Sequence, residues 1–378
     1  MATSRSRRRP GKAAAEPAES EAPTESEAPV DIAAPAEPAP AEPAPAEPAD
    51  RAEPAEDAAF VYDVAVIGAG PAGLAATVAA AEGAVTVALV DAGPRPGGQY
   101  WRHRDGDDGA HHHGWAAFAR LRASLDEGIA TGSVTHFAGH AVWHVERGSG
   151  GDPFAIHALV DGEAREVRAR TLVLATGAYD RQVPFPGWTL PGVFTAGAAQ
   201  ALLKGQGVLV GRRVAVGGTG PFLLPVAAGL VEAGAEVVGV FEAGRPTAFA
   251  RHPLTVLRAA GKLWEGAGYL RTLRRHGVPY QMRTAIIEAQ GEDEVTGVRV
   301  AGLDGAWNVI PGSERTVACD TVAVGYGFTP QTEIPLQLGC EMTMDRDGSL
   351  VVRVDDEGRS TAGDVFVAGE ATGVGGAD

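Results

Sequence analysis

From residue 61 onward the chain alternates short apolar runs with glycine-rich or polar turns. Val64-Ala65-Val66-Ile67 and the stretch from Val85 to Val90 are nearly continuous in apolar character, as parallel strands buried on both faces require. An alanine-rich segment opening at Pro71 joins them, so this first unit reads strand, turn, helix, strand. Trp115, Phe118, Leu121 and Leu125 recur at three- and four-residue steps and predict a helix, with Arg120 and Arg122 off its apolar face. From His140 to Ala175, short strands with turns at Gly148 to Gly151 and at Asp161-Gly162 predict a small meander leading into the strand Thr171 to Leu174. A second strand–turn–helix–strand unit has Val214 to Val216 and Val237 to Phe241 as its strands. His252 to His276 reads as one or two helices, on Leu254, Leu257, Leu263, Tyr269, Leu270 and Leu273. Strands are then predicted at Tyr280 to Ile287, Val295 to Val300, Val317 to Val324 and, last, in Thr361 to Glu370.

The turns between these runs carry the chemistry. Gly68-Ala69-Gly70-Pro71-Ala72-Gly73 has the spacing of a dinucleotide-binding loop. Gly68 makes the tight turn, Gly70 lets backbone approach a pyrophosphate, and Gly73 lets helix and strand pack closely. Pro71 opens the helix without wasting a donor, and the N–H groups and dipole there suit a phosphate. Asp91, 18 residues past Gly73 at a strand end, is placed to accept hydrogen bonds from ribose hydroxyls. Gly97-Gly98-Gln99 follows directly and reads as a second close approach to the cofactor. Small residues at the carboxyl end of a parallel strand, Ala175-Thr176-Gly177, leave room where a ligand crosses a sheet.

Gly217-Gly218-Thr219-Gly220-Pro221 opens the second unit, whose second strand ends in Glu242 as the first unit's ends in Asp91. Two copies of one unit argue for two dinucleotide folds. Leu223 stands where the third glycine belongs, and its bulk would hold helix and strand apart. Gly218, Gly220, Pro221 and Glu242 therefore form either a nicotinamide dinucleotide site or a retained fold with an idle pocket. If nucleotide binds, Glu242 would repel a 2′-phosphate and favour NAD over NADP, while Arg245 pulls the other way.

Composition changes the picture at the edges. Residues 1–60 hold six basic and thirteen acidic residues with repeated Pro-Ala-Glu from Pro35 to Pro48, and read as a disordered tail. The basic start is not followed by an apolar stretch, so secretion is not expected. No run approaches the roughly 18 apolar residues of a membrane span. The net charge of −16 disfavours nucleic acid, whose phosphates an acidic protein repels. The two cysteines, Cys319 and Cys340, read as buried hydrophobes in a reducing cytoplasm. His111-His112-His113 reads as a solvated loop rather than a metal site, and His252 and His276 as surface or cap histidines.

In this order the motifs Gly68 to Gly73, Asp91, Ala175 to Gly177, Gly218 with Gly220, and Val365 to Glu370 resemble the two-dinucleotide-binding-domain flavoproteins of the pyridine nucleotide-disulfide reductase superfamily. The resemblance covers the chain after about residue 60. It implies an α/β protein of two Rossmann-like three-layer domains, the second inserted into the first. The boundaries are 61–195 for the first part of an FAD-binding domain, 196–325 for an NAD(P)-binding-like domain, and 326–378 for the returning, incomplete part of the first. FAD is expected on the first fold, with Gly369-Glu370 returning to it.

More narrowly, Gly97-Gly98-Gln99, Ala175 to Arg181, Pro184 to Gly187, Pro191 to Gly197, Gly218 to Pro221 with Leu223, and Gly369-Glu370 resemble the FAD subunits of heteromeric amine oxidases and dehydrogenases, such as those acting on sarcosine, opines and proline. There Leu223 and Glu370 are signatures rather than defects. The resemblance implies an electron-handling subunit working beside a second flavoprotein subunit that oxidises an amine or imino acid. The alternatives are an autonomous NAD(P)H-dependent flavin reductase and a non-catalytic assembly subunit. Relatives continue beyond the position of Asp378 with a helix facing the flavin and often a cysteine cluster for an iron–sulfur centre, so the chain reads as a fragment and any iron–sulfur module as lying outside it. No Cys-x-x-Cys pair is present, and Pro191 stands where the Phe-x-Gly-x-x-x-His motif of flavin monooxygenases, begun at Phe185, would need histidine. Hydride or electron transfer through the flavin remains, with Arg181 expected near the isoalloxazine.

Overall fold

The computed structural model describes residues 60–109, 112–245 and 260–374. The predicted tail, His111, His252 and the first part of the helix predicted from His252 lie outside the described residues.

The first lobe is built on a seven-stranded sheet. Its parallel part runs in the order β3 (Val134–Ala138), β2 (Val87–Asp91), β1 (Val61–Ile67), β6 (Glu163–Leu174) and β19 (Val365–Val367). The amino-terminal half of the 12-residue β6 instead pairs antiparallel with β5 (Phe154–Val160), which pairs with β4 (Ala141–Glu146), making the expected meander. Successive residues of the apolar runs face opposite ways, because side chains alternate across a strand. Val66 and Leu89 pack with Leu74, Trp101, Phe118 and Leu125 beneath the helices α1 (Pro71–Glu82) and α2 (Trp115–Thr131). Ala65, Ile67, Ala88 and Val90 pack on the other face with Phe154, Ile156 and Val167 of the meander. Burial on both faces is what required continuous apolar runs instead of alternation.

The second lobe repeats the plan. Five parallel strands run in the order β11 (Tyr280–Met282), β10 (Glu236–Glu242), β9 (Arg213–Gly218), β15 (Thr321–Gly325) and β8 (Val193–Thr195). One face carries α3 (Ala196–Gln206), α4 (Leu223–Glu232) and α5 (Ala260–Arg275) through Val214, Val216, Val226, Leu230 and Leu273. The other carries an antiparallel sheet of β12 (Thr284–Gln290), β13 (Gly297–Gly302) and β14 (Arg315–Ala318), through Ala215, Phe241, Ile286 and Val298.

The strand Val193–Thr195 falls before the predicted boundary at 195/196, yet it pairs with β15 and so belongs to the second sheet. The single run predicted at Tyr280 to Ile287 is two strands, because Arg283 takes a left-handed φ of 53° that breaks the pleat and sends the chain from the parallel sheet into the antiparallel one. Arg283 is held there by its N–H to the Gly244 carbonyl and its guanidinium to the Leu303 carbonyl. The run predicted at Val317 to Val324 likewise splits at Cys319-Asp320, where the Asp320 carboxylate caps the N–H groups of Arg212 and Arg213.

The chain crosses between lobes twice, and the crossings pair. β7 (Ala178–Asp180) leaves the first lobe and β16 (Phe328–Pro330) returns to it, antiparallel to each other. After β16 come α6 (Glu333–Gln337), the hairpin of β17 (Met342–Met344) and β18 (Leu350–Val352), and β19. The elements of the second sheet thus lie, in chain order, between β6 and β19 of the first.

Candidate dinucleotide sites

At the carboxyl end of β1 the chain turns sharply, with Gly68 at φ +105°. A Cβ there would stand 2.3 Å from the Ala175 carbonyl oxygen, and one on Gly73 would stand 1.8 Å from the Gly68 oxygen. These two glycines let loop, helix and the end of β6 close on one another. Gly70 differs: its φ of −72° suits any residue, and no atom of the described residues lies within 4 Å of where its Cβ would be. The space outside Gly70 is open.

The helical ladder of α1 begins with the Leu74 N–H on the Gly70 carbonyl at 2.9 Å. Pro71 has no N–H, and the N–H groups of Gly70, Ala72 and Gly73 have no acceptor among the described residues. The sheet side of this loop is fixed by Asp91. Its Oδ2 accepts the Ala69 N–H at 2.6 Å and its Oδ1 the Gly93 N–H at 2.7 Å. The Gly97 N–H returns to the Ala69 carbonyl at 2.7 Å, and Gly98, at φ +60°, lies so close that a Cβ would be 2.7 Å from the Gly70 Cα. Gln99, next in line, is exposed.

Ala175-Thr176-Gly177 follows β6 at the same edge, with the Thr176 hydroxyl donating to the Gln331 carbonyl and the Gln331 N–H to the Gly177 carbonyl, both at 2.9 Å. Gly369, at φ +76°, abuts Ala72 of α1, where a Cβ would meet the Ala72 Cβ at 2.9 Å. Glu370 therefore enters beside the amino end of α1. Burial pushes its carboxyl up, and no hydrogen bond from a described residue offsets that. Open space at Gly70, three free N–H groups and an unpartnered acid on a neighbouring turn form a donor-and-acceptor set that fits the pyrophosphate and polyol of FAD.

The second loop looks alike in sequence and differs in its bonds. Gly218, at φ +137°, would bring a Cβ to 1.8 Å from the Gly325 oxygen, so the tight turn is kept. Helix α4 starts at Leu223 and not at Pro221, and Leu223 is fully buried in the helix-side core, where a Cβ on Gly325 would stand 3.3 Å from its Cδ2. The intervening residues close a turn on themselves, with the Leu223 N–H 3.4 Å from the Gly220 oxygen and the Leu224 N–H 3.1 Å from the Pro221 oxygen. The phenyl ring of Phe222 meets that of Phe328 edge to face at 5.1 Å. Glu242 is 4 % exposed. Its Oε2 accepts the Gly220 N–H at 3.0 Å and its Oε1 the Gly244 N–H at 2.7 Å. Burial raises its pKa, against the lowering effect of these backbone N–H groups and of the neighbouring Thr219 and Tyr280 hydroxyls. The Tyr280 hydroxyl is pushed up to about 12, first by burial and then by this carboxylate.

Arg181 lies on the crossing ribbon with Nη2 committed to protein: the Ser349 hydroxyl at 2.6 Å, the Phe328 carbonyl at 2.9 Å and Asp347 at 3.1 Å. Its neighbour Asp180, which sequence reasoning passed over, accepts the Thr195 hydroxyl at 2.5 Å at the amino end of α3. Gly197 lacks the Cβ that would stand 2.3 Å from the Asp180 Oδ2. The signal was Thr195 as an N-cap followed by a glycine in the first helical turn.

Cys319 and Cys340 are 4 % and 5 % exposed and belong to different cores. Burial pushes the Cys319 thiol up to about 11, far from the thiolate that disulfide exchange needs. Among the described residues no three His, Cys, Asp or Glu side chains gather as a metal site. No described helix is long and apolar enough to cross a membrane.

A family model described as pyridine nucleotide-disulphide oxidoreductase matches residues 62–377. The chain belongs to this family. Members of this family are oxidoreductases, and their nucleotides are FAD and NAD(P). An opine oxidase subunit from Agrobacterium tumefaciens (strain Ach5) is 35 % identical over 336 residues, which are 85 % of this chain and 64 % of that protein. Hydrogen cyanide synthase subunit HcnB of Pseudomonas aeruginosa is 35 % identical over 317 residues, 83 % of this chain and 67 % of that one. The chain thus spans about two thirds of these relatives' length. In fold it resembles the thioredoxin reductase of T. acidophilum, at 20 % identity and a TM-score of 0.58 over 84 % of this chain and 92 % of that one.

Two outcomes are expected at the first loop. Gly70→Ala keeps stability within about 1 kcal/mol, because backbone and space tolerate the methyl, yet weakens FAD at least about tenfold by filling the cradle. Gly68→Ala, strained and clashing, costs on the order of 2–4 kcal/mol. Urea unfolding and flavin-fluorescence titration read the two effects. For the flavin-free chain, the raised pKa of Glu370 means stability is full below 4.5, the ordinary value, and declines as pH rises through the folded-state value. Glu370→Gln removes that decline, so the melting-temperature advantage of the variant grows from pH 4.5 to pH 7; an advantage that shrinks over this range would refute the assignment.

Proposed function

We propose that the first loop is the FAD site and that the chain is the electron-handling subunit of a heteromeric amine or imino-acid oxidase or dehydrogenase. The observation that carries the first part is the set of three free N–H groups at the open Gly70 edge with Glu370 beside it. The second part is supported by the relatives, which are subunits of larger enzymes by name. On this reading Gly68, Gly70, Pro71, Ala72 and Gly73 receive the pyrophosphate, and Asp91 orients the loop and faces the adenylate ribose. Gly98, Gln99, Ala175, Thr176 and Gly177 line the crossing, and Glu370 accepts from the polyol. FAD, when bound, supplies reversible two-electron and one-electron chemistry. The chain's own residues bind and orient it, and its two cysteines, buried in different cores, form no redox pair beside it. Arg181 is a brace for the crossing ribbon on this reading, not a partner of the reacting atoms. Gly218, Gly220, Pro221 and Glu242 would meet NAD(P) at the second loop.

Anaerobic mixing of the flavin-loaded chain with NADH, NADPH, sarcosine, proline or an opine, with and without a co-purified partner chain, tests the assignment. The flavin absorbance should bleach with an amine only when the partner is present. Bleaching by NADH alone, with no effect of the partner, would make the chain an autonomous reductase. Flavin that stays oxidised under every condition would end the redox reading.

A further inference from the structure

The two strand-end acids act on their loops in different ways. Asp91 reaches the second residue of its loop, Ala69, and leaves the Gly70 N–H free. Glu242 is one methylene longer and reaches the third, Gly220, whose N–H it takes at 3.0 Å. The second residue of that loop, Thr219, has its N–H on the Gly325 carbonyl at 2.8 Å. With Pro221 lacking an N–H and Leu223 and Leu224 turned back on Gly220 and Pro221, Phe222 is the one residue from 219 to 224 whose N–H has no acceptor among the described residues.

We propose that Glu242 caps the second glycine loop from within and competes with the pyrophosphate of a pyridine nucleotide for the Gly220 N–H. The competitor is tethered and already in place, so it holds the donor at an effective concentration no free nucleotide matches. It is also buried and bonded to the N–H groups of both Gly220 and Gly244, so releasing it would leave an unpaired charge in the interior. Outside Gly220 no atom of the described residues lies within 4 Å of where a Cβ would be. The loop has kept its room for a phosphate while its donor is spent. Nucleotide binding to the second lobe is therefore weak until Glu242 lets go, whatever occupies the first lobe.

The prediction turns on side-chain length, not charge. Glu242→Asp withdraws the carboxylate by about 1.5 Å, one carbon–carbon bond, and frees the Gly220 N–H. Glu242→Gln keeps the length and one acceptor oxygen, which can stay on the Gly220 N–H while the amide NH2 gives up the Gly244 bond, so the cap persists. Calorimetric titration of the flavin-loaded chain with NADH and with NADPH should show affinity rising at least about tenfold in Glu242→Asp and staying within about twofold in Glu242→Gln. Tightening in the Gln variant but not the Asp variant would mean that the glutamate merely repels the nucleotide, and would overturn the proposal. Equal affinity in all three proteins would overturn it as well. Amide hydrogen exchange on the wild-type chain gives a readout that needs no variant: without nucleotide, Gly220 should exchange at least about tenfold more slowly than Gly70, and equal rates would contradict the cap.

Discussion

A carboxylate at the end of a strand, accepting backbone N–H groups from the neighbouring glycine loop, is the interaction on which both lobes depend. A hydrogen bond to a charged acceptor contributes about 1.5–3 kcal/mol, and Asp91 and Glu242 each make two such bonds to backbone N–H groups. In each pair the bond to Ala69 or Gly220 joins β1 to β2 or β9 to β10 at the edge where a nucleotide would cross the sheet, and the bond to Gly93 or Gly244 closes the turn just after the acid. They also decide which donors the loop keeps. With aspartate, the loop is anchored through a residue that faces the sheet and the donor facing outward stays free. With glutamate, the outward donor is the anchor.

The lobes are joined by more than the crossing ribbon. Asp180 and Arg181 are adjacent and tie that ribbon in opposite directions, the first to the amino end of α3 in the second lobe, the second to Asp347 and Ser349 in the first. At the carboxyl end of α3, Arg104 lies against Gly207, where a Cβ would be 2.5 Å from its Nη1. A cation there complements the helix dipole, as Asp180 does at the other end. His113 of the loop before α2 is hydrogen-bonded to Tyr269 of α5. A loop that begins with glycines 97 and 98, packed on the first glycine loop, thus ends in contact with the second lobe.

Much of this was legible in residue order. Apolar runs without alternation specified parallel strands, and the glycine spacing specified where the sheet opens, because Gly68, Gly73 and Gly218 sit where backbone approaches too closely for any Cβ. The helix on Trp115, Phe118, Leu121 and Leu125 was legible for the same reason, its apolar stripe being its contact with Leu74 and Trp101. Less legible were features set by single bonds across long separations. The break at Arg283 depends on the carbonyls of Gly244 and Leu303, and the role of Asp180 on a helix beginning sixteen residues later. Arg181 was expected near the flavin because its neighbours carry the motif; the bonds of its Nη2 to three partners far along the chain were not legible there. Glu242 looked equivalent to Asp91 at the level of spacing. One methylene separates their effects, and only the hydrogen bonds reveal it.

On these bonds the chain holds one open dinucleotide cradle, at Gly68 to Gly73, and one closed one. Equilibrium dialysis of the flavin-free chain against FAD and against FMN tests this most directly, since FMN lacks the adenylate half that the cradle grips. One FAD per chain, with FMN bound at least about a hundredfold more weakly, is the predicted result. Two equivalent FAD sites, or FMN bound as tightly as FAD, would contradict it.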